Sequence, residues 1–187
     1  MTLEALAIKV VEAAEAAGVE FMAVGAIAAG AYGVPRSTRD VDLLVAVNVA
    51  GGVDAVVKAL EPWVQFNAQV VFDTLTWGRR HVGRSRFDPP FKVELFELFD
   101  DPFVQSEFRR RVEVFVPMLA RATWLPTPED VVVQKLRWGR NKDLDDARDV
   151  LAVQGPETLD MAYIEGWCAQ HGTTARLRAA LAGIPPL

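Results

Sequence analysis

The chain has 187 residues, of which 51% are apolar and 24% are charged, and its formal net charge is −5. This length suits one compact domain with a proper core, and the high apolar fraction argues against disorder. The acidic balance disfavours a protein that binds duplex nucleic acid through bulk charge, although local contacts with nucleic acid stay open.

Three features of the sequence bear on where the protein works. The most apolar stretch, residues 21–34, is shorter than a membrane span of about 20 residues and contains three glycines. The N-terminal segment carries acidic residues where a signal peptide carries basic ones. Cys168 is the single cysteine, so no internal disulfide can form. We therefore expect a protein of the reducing cytoplasm without a membrane partner.

The first part of the chain predicts alternating helices and strands. Apolar residues recur at helical spacing over residues 2–17, and Gly18 follows as a stop, which predicts an amphipathic helix. The apolar run at residues 19–24 predicts a buried strand. The small-residue segment 25–33 predicts a tight strand-to-helix turn, where backbone can approach a ligand closely. Residues 41–47 predict a second apolar strand.

The middle of the chain is richer in strand patterns. Gly51 and Gly52 break the chain, and residues 53–60 predict a helix that ends before Pro62. A turn is predicted at Asp88-Pro89-Pro90. The remaining candidate elements are strands at residues 69–72, 80–87, 91–96 and 112–116 and a short helix at residues 103–111.

The last third of the chain has an entirely helical pattern. Thr127 suits an N-cap and Pro128 the first helical position, with acidic residues following in the first turn. Helices are predicted over residues 129–138, 144–153, 159–170 and 174–181. We therefore expect a core of mixed strands and helices at residues 1–126, followed by a helical C-terminal subdomain at residues 127–187.

The candidate chemistry lies where the second predicted strand opens. Asp40 and Asp42 alternate with one residue between them, so on a strand both carboxylates project from the same face. Neighbouring carboxylates repel each other unless a positive group lies between them, and such a pair suits a hard divalent cation. The spacing alone is not specific, because Asp143 and Asp145 repeat it. An isolated pair of this kind is more often a solvated strand end or a helix cap.

The surroundings of the two aspartates favour phosphate chemistry. Arg36, Thr38 and Arg39 lead directly into the pair, and the turn at Gly25 can offer backbone N–H groups to phosphate oxygens. Glu94 lies in an apolar strand, where a charged side chain is unusual and indicates a structural or functional role. It is either an outward residue of an edge strand or a third carboxylate of the same site. Phosphate-binding donors beside metal-binding acceptors are what nucleoside triphosphate chemistry requires.

These motifs resemble the signature of the nucleotidyltransferase superfamily, whose core is the palm-like fold shared with DNA polymerase β. The resemblance rests on FMAVGA at residues 21–26 and YGVPRSTRDVDLLV at residues 32–45, and more loosely on a lysine-containing helix at residues 128–137. The chain looks most similar to the AbiEii-type bacterial branch, some members of which are toxins of toxin–antitoxin pairs. The resemblance implies an α+β fold with a mixed sheet flanked by helices and a C-terminal helical subdomain.

The resemblance also implies roles for individual residues. Asp40, Asp42 and Glu94 would be the catalytic carboxylates and would bind Mg²⁺, with Mn²⁺ as an alternative. The residues that would contact the nucleotide are Gly25, Ala26, Arg36, Thr38, Arg39 and Lys135. The sequence departs from the family where Ala26 replaces a frequent serine and Glu94 replaces a common aspartate. Both departures leave room for a weakened or inactive enzyme.

The implied reaction moves an NMP from an NTP such as ATP to a hydroxyl of RNA, such as tRNA, or of a protein, with release of pyrophosphate. A toxin-like protein would also have a cognate antitoxin as a partner. Two alternatives stay open: transfer to a small-molecule acceptor, as in antibiotic-modifying relatives, and a catalytically silent binding protein that keeps the fold.

Two further segments have two interpretations each. The basic cluster at residues 79–86, next to Trp77, either contacts a nucleic-acid acceptor or is the polar face of a strand pair. The segment at residues 142–146 either fixes the helical subdomain over the site, or its Asp143 caps a helix that begins at Leu144.

Overall fold

A mixed β-sheet forms the centre of the molecule. The computed structural model describes residues 1–47, 51–88 and 90–184, and within them it contains a six-stranded sheet and a separate two-stranded ribbon. In chain order the strands are β1 Phe21–Ala23, β2 Asp40–Val45, β3 Val64–Phe66, β4 Val71–Phe72, β5 Arg79–Ser85, β6 Lys92–Glu97, β7 Val112–Val116 and β8 Arg121–Leu125.

Helices cover the sheet and form the C-terminal part of the chain. They are α1 Leu3–Ala16, α2 Gly25–Tyr32, α3 Gly52–Leu60, α4 Pro102–Arg110, α5 Pro128–Trp138, α6 Asn141–Gln154, α7 Met161–His171 and α8 Thr174–Ala182. A 3₁₀ turn, Pro117–Leu119, joins the two strands of the ribbon. Within the described ranges, no helix is both long and apolar enough to cross a bilayer.

The order of the strands in the sheet is β1-β2-β6-β5-β3, and β4 pairs with β5. Strands β2 and β6 run parallel, whereas the other neighbours are antiparallel. The parallel register places Asp42 opposite Glu94 and Asp40 opposite Lys92. Directly opposed residues project from the same face of a sheet, so these four side chains share one face. This arrangement is the predicted mixed sheet with flanking helices.

The other face of β2 belongs to the core. Val41, Leu43 and Val45 are fully buried there, and α1 packs over this strand with α3 beside it. Burial of each such side chain stabilises the fold by about 1.5–3 kcal/mol. Because successive residues of a strand point to opposite faces, burying the valines and the leucine necessarily turns Asp40 and Asp42 to the opposite side.

The C-terminal helices are tied to the rest of the chain through α2. The Tyr32 hydroxyl donates to the Pro126 carbonyl at 2.9 Å, and the Gln154 amide donates to the Tyr32 carbonyl at 2.7 Å. Gly33 lies so close to α6 that an added Cβ would meet the backbone nitrogen of Val150 at 2.9 Å. The division of the chain at residue 126 stays a prediction.

Several predicted boundaries need correction. Strands β3 and β8 are not among the elements that the sequence predicts. Helix α6 begins at Asn141, so Asp143 lies inside the helix and the prediction that it caps a helix at Leu144 is wrong. Thr127 does cap α5, as predicted, since its hydroxyl accepts from the backbone of Asp130. Pro89 of the predicted turn lies outside the described residues.

Candidate active site

A cleft opens on the face of the sheet that carries the aspartates of β2. It encloses about 330 Å³, and its lining includes Gly25, Asp40, Asp42, Glu94 and Lys135. Strands β2, β5 and β6 form its floor, while α4, α5 and the start of α6 form the facing wall. The aspartate pair of β2, Glu94 and the glycine turn come from separate parts of the sequence and meet in one cavity.

One carboxylate oxygen of Asp42 has no hydrogen-bond partner. Its Oδ1 is buried and accepts no hydrogen bond from the part of the chain that the structure describes. Burial, together with the negative charges of Glu94 and Asp40, raises the pKa of Asp42 to about 7. Lys92 and Lys135 oppose this shift without cancelling it, so the carboxylate is still compensated only in part, and a bound cation would stabilise it further. The atom is thus suited to hold one.

Gly25 brings the start of α2 against this carboxylate. Its φ is +65°, a conformation that favours glycine, and a Cβ at this position would collide with the Asp42 side chain. Helix α2 begins at Gly25 without a side-chain cap. The first N–H groups of a helix have no partner within the helix, and its N-terminus attracts anions. The absence of a side chain at Gly25 therefore leaves room for the backbone to approach a ligand closely, as predicted.

Glu94 faces the cleft in the centre of the sheet. It is 6% exposed, and β6 lies between β2 and β5, so the interpretation of Glu94 as an outward residue of an edge strand is wrong. Its carboxylate pairs with Arg80 Nη1 at 2.9 Å and with Lys92 Nζ at 2.5 Å. The same ammonium lies 3.6 Å from Asp40 Oδ1. Lys92 thus shares one positive charge between two of the three predicted metal ligands.

The three carboxylates are the type of ligand that a divalent cation prefers, but they do not already surround one common point. Across the described residues, no three His, Cys, Asp or Glu side chains stand in a metal-binding arrangement. The unpartnered Oδ1 of Asp42 and the nearby charges of Asp40 and Glu94 nevertheless fit a hard cation. Both oxygens of Glu94 are already paired, with Arg80 and Lys92, so Glu94 would have to share or exchange one of these partners to bind a cation. Metal ligation by these residues stays a prediction.

Lys135 lines the cleft at the centre of a buried ion-pair network. It is 7% exposed, and its Nζ donates to Asp146 Oδ2 at 2.6 Å and to Asp143 Oδ1 at 3.4 Å. Arg140 Nε donates to Asp143 Oδ2 at 2.5 Å. A nucleotide phosphate would have to share the Lys135 ammonium with these aspartates, because both are already within ion-pair distance.

Arg36 joins the same network from the loop before β2. Its guanidinium donates to Asp146 Oδ1 at 2.7 Å and to Oδ2 at 3.0 Å. Burial opposes ionisation of Asp146, but the hydrogen bonds from Arg36 and Lys135 outweigh it and lower the pKa of this carboxyl. These contacts hold the loop against α6, and they support the interpretation that residues 142–146 fix the helices over the site.

The other predicted nucleotide contacts lie beside the cleft. Thr38 Oγ1 accepts from the backbone N–H of Asp40 at 3.1 Å, and the Arg39 carbonyl accepts from the Lys92 N–H at 2.8 Å. Both residues thus position the start of β2. Ala26, Thr38, Arg39 and Arg36 are not part of the cleft lining found among the described residues. Their contact with a nucleotide stays a prediction.

The basic cluster on β5 is largely paired within the sheet. Arg79 and His81 contact Glu97 at 3.4 and 2.8 Å, and Arg80 pairs with Glu94. These contacts favour the interpretation of a polar strand face. Trp77 remains 76% exposed, with a positive φ of 59°.

Sequence reasoning missed the part of the cleft formed by α4 and α5. Glu107, Gln134 and Trp138 line it, together with Phe99 from the segment before α4. One signal was available. Glu107 stands three residues after Val104 and directly before Phe108, which puts it on the apolar face of α4. A charged residue on the buried face of a helix requires a structural or functional partner.

Comparison with solved structures identifies the fold. The antibiotic-resistance protein ANT(2″)-Ia, in complex with adenylyl-2″-tobramycin, matches with a TM-score of 0.62 and 16% identity over 94% of this chain and 99% of that one. Its solution structure matches with a TM-score of 0.58 and 16% identity over 96% and 92% of the two chains. An antigenic nucleotidyltransferase-like protein from Paracoccidioides brasiliensis matches with a TM-score of 0.54 and 19% identity over 99% and 94%.

These matches show a nucleotidyltransferase-like α+β fold that extends over nearly the whole chain. At identities this low, the likeness concerns the fold and not the activity. No family model matches the sequence, and no curated protein matches it. The narrower resemblance to the AbiEii-type branch stays a prediction.

Proposed function

We propose that the protein is a nucleotidyltransferase, which moves an NMP from an NTP to a hydroxyl acceptor and releases pyrophosphate. The observation that carries the proposal is the buried, unpartnered Oδ1 of Asp42, which lies in one cleft with Asp40, Glu94 and the start of α2. A structural carboxylate would be satisfied by the protein itself. Asp42 instead has an acceptor oxygen that a cation or ligand bound in the cleft could use.

Residues of the cleft could bind the cation and the triphosphate that this transfer requires. Asp40, Asp42 and Glu94 would hold Mg²⁺ or Mn²⁺. When bound, the cation stabilises the leaving pyrophosphate and lowers the pKa of the attacking hydroxyl. The N-terminus of α2 at Gly25 would orient the triphosphate through backbone N–H groups. Electrostatic stabilisation of this kind dominates phosphoryl-type transfer.

In the reaction the hydroxyl oxygen bonds to the α-phosphorus while the bond between the α- and β-phosphates breaks. The proton of the hydroxyl would pass to a carboxylate oxygen of Glu94, which would exchange its ion pair with Arg80 or Lys92 to accept it, and the electron pair of the broken bond would leave with pyrophosphate. Arg80 and Lys92 lie on either side of Glu94 and would offset charge on the phosphates. Lys135 would do so from the α5 side of the cleft.

The charge of the cleft bears on the acceptor. A polycationic small molecule would be held best by a strongly acidic cleft, but acidic and basic side chains line this one in nearly equal numbers. This balance favours a hydroxyl of RNA or protein, in keeping with a toxin-like enzyme that has a cognate antitoxin. Transfer to a small molecule is the second candidate, supported by the similarity to the fold of ANT(2″)-Ia.

The test is incubation of the protein with each α-³²P-labelled NTP, MgCl₂ and one acceptor: total cellular RNA, total cellular protein or an aminosugar. We expect label on a macromolecule from at least one NTP, and its loss in Asp42→Asn. Asp100→Asn is the matched control, because Asp100 is exposed and lies outside the cleft lining. Label on RNA or protein supports the first acceptor class, and label on an added aminosugar alone supports the second. No incorporation with any NTP, metal and acceptor would leave only the binding-protein alternative.

A further inference from the structure

The wall of the cleft formed by α4 and α5 holds polar groups that the phosphate chemistry does not use. Glu107 is 3% exposed, and within the described part of the chain it has neither a hydrogen bond nor an ion pair. The Oε1 of Gln134 is buried and has no hydrogen-bond partner among the same residues. Both side chains line the cleft. Buried polar groups are normally paired, so two unpaired ones in one cavity point to a ligand.

Two ion pairs link the helices that carry these groups. At one end of α4, Asp101 pairs with Arg137 at 2.7 Å, and at the other end Arg110 pairs with Asp130 at 3.2 Å. The two ion pairs make α4 and α5 neighbours that run in opposite directions. Glu107 lies on α4 between Asp101 and Arg110, and its side chain lines the cleft.

Aromatic rings complete the pocket. Trp138 follows Gln134 by one helical turn, so both project from the same face of α5, and Phe99 lines the cavity from the segment before α4. Flat apolar surfaces beside a few hydrogen-bonding groups suit a planar heterocycle, because its faces stack and its edge needs donors and acceptors.

The charge state of Glu107 narrows the class of ligand. Burial, followed by the nearby negative charge of Asp130, raises its pKa well above the ordinary value, although Arg137 opposes the shift. The shift favours the neutral carboxyl over the carboxylate, and a neutral carboxyl offers one donor and one acceptor. The carboxamide of Gln134 offers both as well. A cationic amine gains little from neutral groups, whereas the edge of a nucleobase presents adjacent donors and acceptors.

We propose that Glu107 and Gln134, flanked by Trp138 and Phe99, bind the base of the nucleotide. The assignment rests on the proposed function, since the same cleft would hold the triphosphate at the β2 side. It adds a site for the base that lies on the helices and not on the sheet.

The test measures binding of nucleosides that lack phosphates. Equilibrium dialysis of labelled adenosine, cytidine, guanosine and uridine is carried out without metal, so that the carboxylates of the sheet contribute little. We expect at least one nucleoside to bind to the wild type, and Glu107→Leu and Gln134→Leu to weaken that binding at least tenfold. Glu107→Gln keeps a neutral donor and acceptor, so we expect it to retain binding within about threefold. Glu113→Leu, at an exposed position of β7, is the control that should bind as the wild type does.

A loss of binding in Glu107→Leu does not arise from unfolding if its melting temperature is at or above that of the wild type, which we expect because a buried unpaired carboxyl is removed. Should Glu107→Leu be unstable, Gln134→Leu decides instead. Equal binding by wild type and the folded leucine variants, or binding of the aminosugar tobramycin but of no nucleoside, would overturn the assignment.

The proposed function can fail separately. Transfer activity with an unchanged KM for the NTP in a folded Glu107→Leu variant would refute the base site but not the reaction. Conversely, nucleoside binding that depends on Glu107, in a protein that transfers no label from any NTP, would refute the reaction and support the base site.

Discussion

Replacement of Asp42 by asparagine tests whether its carboxylate lacks compensation in the free protein. Its pKa rises from the usual 3.8 to about 7, first because it is buried and then because Glu94 and Asp40 are negative. The folded protein therefore binds this proton more tightly than the unfolded chain does. The ionised form costs stability, and that cost grows as the pH rises from about 4 to about 7 and then stays constant.

The size of the effect follows from the shift. Each pKa unit corresponds to about 1.4 kcal/mol, so the charge of Asp42 lowers the free energy of unfolding by up to about 4 kcal/mol at pH 8. At pH 5 the cost is less than half of this. Asparagine has nearly the same shape and no charge. Asp42→Asn should therefore be more stable than the wild type, with a melting temperature up to roughly 10 °C higher at pH 8.

The measurement is urea unfolding at pH 5 and pH 8, with and without MgCl₂. The gain of Asp42→Asn should be larger at pH 8, and MgCl₂ should reduce it, since a bound cation compensates the wild-type carboxylate. Asp100→Asn should show no comparable gain, because Asp100 is exposed. A variant that is no more stable than the wild type at pH 8, or a gain that is equal at both pH values, would refute the argument from an uncompensated charge.

Two further substitutions test the geometry around Asp42. Lys92→Met should tighten Mg²⁺ binding about tenfold by calorimetry, because the ammonium that now bridges Glu94 and Asp40 no longer competes with the metal, while Lys58→Met at an exposed position should leave it unchanged. Weaker binding in Lys92→Met would contradict this reasoning. Gly25→Ala should lower the free energy of unfolding by at least about 1–3 kcal/mol, since its φ is positive and a Cβ would strike Asp42. Gly166→Ala, on an open surface of α7, should instead raise it by about 0.5–1 kcal/mol, and a shared sign for the two glycines would be inconsistent with the structure.

Features that depend on local periodicity could be predicted from the sequence. The alternation of Asp40 and Asp42 with apolar neighbours predicts that both carboxylates leave the same face of β2, and the register of the sheet confirms this arrangement. The cap at Thr127 and the helix that follows were likewise predictable, because capping acts within three residues of the chain. The mixed sheet followed from the resemblance to nucleotidyltransferases.

The partners of the charged side chains were not predictable, since they come from distant parts of the chain. Arg36 was expected on a phosphate, yet its guanidinium binds Asp146. Glu94 was expected as a metal ligand, and Arg80 and Lys92 hold it in the free protein. Whether an ion pair forms depends on how helices and strands lie relative to one another, and a local sequence pattern does not show this.

By itself, the sequence determined which residues carry charge, which face of each strand they leave and where the glycine turn lies, because side-chain chemistry and the two-residue period of a strand are local properties. Only the tertiary structure decided which charges are already paired and which stay unsatisfied. Parallel pairing of β2 and β6 set Glu94 beside Asp42, and the packing of α4 against α5 placed Glu107 and Gln134 in the same cleft. Whether a buried charge is compensated depends on all the groups that surround it in the folded protein, and these come from several helices and strands.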